Sequence, residues 1–118
     1  MEISPTDIAE AIGSIDVALT VCDAEMKLLY MNEKAALNFS GKDGPPPLGS
    51  SLLDCHKPQS VVTMKAMLAS GEPNVYTILK GGQKKLIWQA PWMKGGTIAG
   101  LVEISIQLPD SIPHYDRG

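Results

Sequence analysis

The chain has 118 residues, of which 44% are hydrophobic and 19% charged, and its net charge is −3. That length holds one domain with a single modest core, and the apolar content excludes a disordered chain. With no basic run there is nothing extended to neutralise a phosphate backbone, so nucleic-acid binding is not expected. No apolar run approaches the roughly 18 residues that cross a bilayer, and the acidic start MEISPTDIAEAIG lacks a secretory apolar segment. The expectation is a cytoplasmic protein with no membrane contact, in which Cys22 and Cys55 are free thiols.

In chain order, residues 6–13 read as a short helix capped by Thr6 or Asp7, with Glu10 in reach of a capping box and Gly13 as its stop. Val17, Leu19 and Val21 alternate with Ala18 and Thr20, which is strand periodicity. A turn at Asp23–Glu25 and a second strand, Lys27–Met31, complete a hairpin. Asn32 caps a short helix with Glu33 near its positive end. Residues 40–51, rich in glycine and proline, are loop, and short helical material is expected from Ser50 or Ser51 to Asp54.

Pro58 suits the first turn of a helix, where its missing N–H would be unpaired anyway. That helix presents Val61, Met64 and Leu68 on one face, with Met67 beside them, and ends at Gly71. The last third is three strands, Asn74–Lys80, Lys85–Met93 and Thr97–Leu108, joined by tight glycine turns. Pro91 marks an end, bend or bulge. Ile98, Gly100, Val102, Ile104, Ile106 and Leu108 alternate with Glu103, Ser105 and Gln107, and the apolar row is expected to face the helices. The whole is an α+β domain, a five-stranded antiparallel sheet with helices on one face. It covers residues 1–108, with 109–118 as a polar tail.

The chemically dense stretch is LLDCHKPQS, Leu52–Ser60. Adjacent residues of an extended segment point to opposite sides, so Cys55 and His56 do not form a nucleophile–base pair. No third orienting group is identifiable, and no enzyme is expected. The cysteines and histidines also lack zinc-site spacing. Two readings of His56 stay open: a ring hydrogen-bonded to a backbone carbonyl that fixes the loop, or a heme, metal or other ligand contact from a neutral imidazole. Trp88 and Trp92 share one face of their strand, either as core or as an apolar patch on the open sheet face.

The hairpin VALTVCDAEMKLLYMNEKAA, with its turn at Asp23 and Asn32 opening the next helix, resembles the first two strands of a PAS domain. WQAPWMKGGTIAGLVEISIQL, with a small-residue turn and Gly100, resembles the last hairpin of that family. The resemblance runs from about Thr6 to Leu108, and DCHKPQSV is similar to a subgroup with a Cys-His-x-Pro-x-Ser stretch before the long helix. The light-sensing flavin members carry an Asn-Cys-Arg-Phe stretch that is absent here. The resemblance implies a sensory module with a pocket between sheet and helices, holding a small molecule or heme. His56 would be the ligand-facing or iron-binding group, and Val21, Leu53, Met64, Leu68 and Trp88 would form the wall. Signalling would then pass through a homodimer or a partner signalling protein. Self-association is expected through an open sheet face bearing Leu101 and Tyr76 or Ile87, joined by the N-terminal helix. A ligand-free interaction or dimerisation module is the alternative.

Overall fold

The computed structural model describes residues 1–39, 44–54 and 56–118. In chain order these form α1 (Pro5–Gly13), β1 (Val17–Asp23), β2 (Leu28–Met31), α2 (Glu33–Leu37), α3 (Pro58–Ser70), β3 (Asn74–Lys80), β4 (Gln83–Lys94) and β5 (Thr97–Gln107). The five strands make one antiparallel sheet in the order β2-β1-β5-β4-β3. The first hairpin thus lies beside the last strand, and β5 becomes the central one.

Local chemistry explains most of the boundaries. α1 is capped by Ser4 rather than Thr6 or Asp7: its hydroxyl accepts from Asp7 N at 3.1 Å, and Asp7 Oδ2 accepts from Ser4 N at 2.9 Å. Pro5 at the first helical position makes the earlier start favourable. No residue of α1 is buried. Asp23 Oδ1 accepts from Glu25 N and Lys27 N, both at 2.9 Å, closing the β1–β2 turn. Met26 there takes φ 61° and its side chain is buried.

Asn32 holds together the edge of this unit. Its Oδ1 accepts from Ala35 N at 2.9 Å, capping α2, and from Leu19 N at 3.0 Å, while Nδ2 donates to Val17 O at 2.9 Å. One buried side chain therefore joins α2 to β1. Helical material does not form at residues 50–54. Leu28 N donates to Ser50 O, Leu52 N donates to Met26 O, both at 2.9 Å, and Ser51 bridges Lys27. The backbone groups that a helix would use internally are spent on this pairing. Cys55 and the expected loop residues 40–43 lie outside the described residues.

Lys57 is extended, with φ −64° and ψ 149°, as a residue before proline prefers, and α3 starts at Pro58. Met64 and Met67 of α3 are buried against Cys22, Met26, Leu28, Leu52 and Leu101, with Met31, Val61 and Leu68 packed around them. Two-residue Gly–Gly turns, Gly81–Gly82 and Gly95–Gly96, join the last three strands with φ near 58° and 79° in each. Such turns match the strand twist. A bulge falls between Trp92 and Met93, next to Pro91.

Along Val102, Ile104 and Ile106 the sheet faces are the reverse of the expected ones, whereas Ile98, beyond the bulge, does lie on the helix side by Gly71. Leu101 stands opposite Cys22 and packs beneath α3, so Leu101, Glu103 and Ser105 face the helices. Val102, Ile104 and Ile106 lie on the open face with Val21, Leu19 and Val17 opposite them. Trp88 opposite Ile104 belongs to the open face too. Ile87 and Tyr76, which pair across β3 and β4, are on the helix side, where Ile87 is buried. The open face is therefore apolar, but through Val102, Ile104 and Trp88 rather than Leu101, Tyr76 or Ile87. Strand period 2 separates two faces, and long-range topology decides which one the helices cover.

Candidate functional site

A cavity of about 80 Å³ opens between the helix side of the sheet, α3, the end of α2 and the segment before α3. Its apolar lining is Cys22, Met31, Phe39, Leu52, Met64 and Leu101, with Val102 also at its border. Thr20, His56, Gln89 and Glu103 supply polar groups. A second cavity of about 240 Å³ shares Thr20, Phe39 and Glu103 and extends along the sheet to Ile78, Ile87, Ser105, Lys80 and Lys85. Glu103, in the middle of the central strand, thus borders both.

His56 Nδ1 lies 2.9 Å from Leu52 O. A carbonyl only accepts, so Nδ1 carries the hydrogen, and in the neutral ring the lone pair is then on Nε2. The local reason is the sharp junction ahead of Pro58: the turn at residues 52–54 brings His56 back over the Leu52 carbonyl. This is the backbone-anchored geometry of the first reading of His56, and it also orients the ring at the cavity.

A second polar element runs across three strands. Gln89 Nε2 donates to Glu103 Oε1 at 2.7 Å, and Asn74 Nδ2 donates to Gln89 Oε1 at 2.9 Å. The carboxylate fixes this direction. It only accepts, so Gln89 turns its NH₂ to Glu103 and its oxygen to Asn74. Burial pushes the Cys22 thiol above its ordinary value, and the charges of Asp23 and Glu103 add to this. Burial, then Glu103, pushes the Tyr76 phenol up in the same way.

Of the residues expected at the site, His56 and Met64 meet at the cavity. Leu68 packs against the neighbouring core. Val21 and Trp88 stand on the opposite side of the sheet, one residue out of phase with Cys22 and Gln89, which do line the cavity. Leu53 is exposed, and Leu52 is the buried lining residue of that turn. Glu103, Gln89 and Thr20 were not expected there. The signal that could have found them is the polar row itself: Asn74, Gln89, Glu103 and Thr20 fall in register on neighbouring strands.

Among the described residues no helix is long and apolar enough to cross a membrane. No family model matches the sequence, and no curated protein matches it. Solved structures do. The PAS domain of the histidine kinase ThkA is similar with a TM-score of 0.61 and 18% identity over 75% of this chain and 96% of its own. A sensory box histidine kinase from Vibrio cholerae gives 0.62 and 14%, over 86% and 90%. The VqmA dimer of Vibrio cholerae, a LuxR-type receptor, gives 0.66 and 13%, over 92% of this chain but only 53% of its own. Strand order, helix placement and these superpositions agree, and the chain has the fold of a PAS domain.

Proposed function

We propose that this domain is a sensory module, without catalytic activity of its own, that takes a small organic molecule into the cavity beneath α3. Occupancy would be passed through the sheet to its open face, where a second copy of the chain docks. The observation that carries this reading is the cavity: about 80 Å³ of open space, walled by Met31, Leu52, Met64 and Leu101 and floored by the Gln89–Glu103 pair. An apolar enclosure with a few convergent polar groups is the usual form of a ligand site. Met64 and Met31 are unbranched and adapt to a guest. Self-association is supported by the apolar rows of the open face and by α1, which buries none of its residues. VqmA, which shares the fold, is a dimer.

Heme is the second reading, favoured by the His56 Nδ1–Leu52 O hydrogen bond. Such a bond orients a metal-ligating imidazole and makes its other nitrogen more basic. Space argues the other way. The cavity at His56 measures about 80 Å³, less than the roughly 150 Å³ of a cavity that takes up benzene, so a porphyrin would also need the neighbouring cavity of about 240 Å³. When bound, heme would supply axial gas or redox chemistry, and His56 would hold it.

Native mass spectrometry and an absorption spectrum of the purified protein, followed by hemin titration of the parent and His56→Ala, test both readings. A retained small mass, with no pigment, is the expected result. A porphyrin spectrum that is lost in His56→Ala would replace it with the heme reading. No retained mass, no hemin binding and no response of the cavity residues to any small molecule would leave a ligand-free dimerisation module.

A further inference from the structure

The polar floor of the cavity ends on a carboxylate, and that end decides what the cavity can hold. Asn74 donates to Gln89 and Gln89 donates to Glu103 Oε1, so the donors of this relay all point toward Glu103. One such bond leaves most of the acceptor capacity of a carboxylate unused. Among the described residues no lysine, arginine or histidine forms an ion pair with Glu103. Lys80 and Lys85 line the second cavity, which Glu103 also borders, but neither forms an ion pair with it. Half-buried Glu103 shares the lining of the cavity with the apolar Leu101, Met64 and Phe39, and a cation brought there would find a carboxylate with acceptor capacity to spare. The raised pKa values of Cys22 and Tyr76 reflect in part the same uncompensated negative charge.

A neutral guest would use the apolar walls but leave that charge as it is. An anionic guest would be repelled. A protonated amine on a compact apolar body satisfies both halves of the cavity, because the ammonium supplies donors and the missing charge while the hydrocarbon fills the space under α3. We infer that the ligand of this cavity is a small organic cation, a protonated amine with an apolar body, and that Glu103 is the residue that binds its ammonium group. Gln89 acts as a positioning residue, since its amide holds one oxygen of Glu103 and aims the carboxylate. This assignment rests on the small-molecule reading of the cavity.

The test uses three probes of one shape: isobutylamine, isobutanol and isobutyrate. Each is titrated at millimolar concentrations into the isotope-labelled full chain, the parent and Glu103→Gln, and amide resonances of cavity residues are followed by NMR. Glu103→Gln keeps an acceptor for Gln89 and the size of the side chain. In the parent, isobutylamine should bind about tenfold or more tighter than the other two, as charge-assisted hydrogen bonding implies. In Glu103→Gln that preference should disappear, with isobutanol little changed. The ranking within the parent needs no variant, so a poorly folded Glu103→Gln would not rescue the idea. If amine, alcohol and carboxylate bind the parent equally, or isobutyrate binds best, the cation assignment is overturned while the cavity remains a ligand site. If none of the three shifts cavity resonances, the small-molecule reading falls and the assignment falls with it.

Discussion

Trp88 and Ile104 stand directly opposite each other across the β4–β5 ladder, on the side of the sheet that neither α2 nor α3 covers. Trp88 is 46% exposed in the isolated chain. A tryptophan and a β-branched neighbour in the middle of a sheet, left open, are what an association surface requires.

Ile104→Asp separates the two faces experimentally. Were Ile104 in the helix-side core, an unpaired buried charge would cost several kcal/mol and melt the fold. On the open face the monomer should lose only about 1 kcal/mol, mainly from the poor strand preference of aspartate. Its association should be abolished, because docking would now bury the carboxylate. Sedimentation equilibrium of the parent and the variant reads this out. A parent that stays monomeric at high concentration, or a variant that dimerises like it, would remove the open face as the interface.

Asn32→Ala removes three hydrogen bonds from one buried side chain. The cap of α2 is lost, and Leu19 N and Val17 O lose their side-chain partner. A lost cap costs about 1 kcal/mol and each of the two orphans about 1–3 kcal/mol, so a total of about 3–7 kcal/mol is expected, toward the low end where water reaches the half-buried Leu19 N. Urea denaturation should show it as a lower midpoint at unchanged slope. Asn32→Asp keeps the acceptor and should fall between parent and alanine. Equal midpoints for aspartate and alanine would mean that the cap contributes nothing.

The elements were legible where local chemistry sets them. Asn32, Pro58, Gly71 and the two Gly–Gly turns each carry a backbone instruction that needs no knowledge of the rest of the chain. The start of α1 was equally local, and Ser4 with Pro5 outranks Thr6 as a cap. The site was less legible. In β5, Leu101-Val102-Glu103-Ile104 offers an apolar residue on either face, so alternation separates two rows without saying which one the helices cover. The more apolar row lies on the open side because β1 and β4 present matching rows there, Leu19 with Val21 and Trp88 with Leu86, while their cavity rows hold Thr20, Cys22 and Gln89. Expecting the apolar row inside put Val21 and Trp88 in the wall and Glu103 in solvent. Leu52 and Leu53 are neighbours in a turn, and only the pairing of Leu52 N with Met26 O settles which one is buried.

Gly100 pairs with Asp23 at the end of the β1–β5 ladder. A Cβ added there would sit 1.9 Å from Cys22 O and 2.8 Å from Asp23 Cα. Both are backbone atoms of the paired strand, so no side-chain rotation relieves the clash. Gly100→Ala should therefore cost more than about 3 kcal/mol and displace β1, which carries Thr20 and Cys22 of the cavity. Expression with a collapsed amide spectrum is the expected phenotype. A variant with the melting temperature of the parent would show that the two strands are farther apart than this.

Cys22 makes stability depend on alkaline pH. Its thiol is held above the ordinary value of 9.0, first by burial and then by the charges of Asp23 and Glu103. The folded state therefore holds the proton more tightly than the unfolded chain does. The stabilisation is fully present below the unfolded pKa and is lost as pH rises through the folded one. Tyr76, raised from 10.0 by burial and Glu103, acts with the same sign at somewhat higher pH. The melting temperature of the parent should thus be flat between pH 7 and 8 and fall above about pH 9. Cys22→Ala lowers the whole curve by the cost of its cavity but removes the thiol contribution, so the gap between parent and variant should narrow above pH 9. A gap that stays constant to pH 10.5 would mean that the Cys22 thiolate is as well accommodated in the fold as in water.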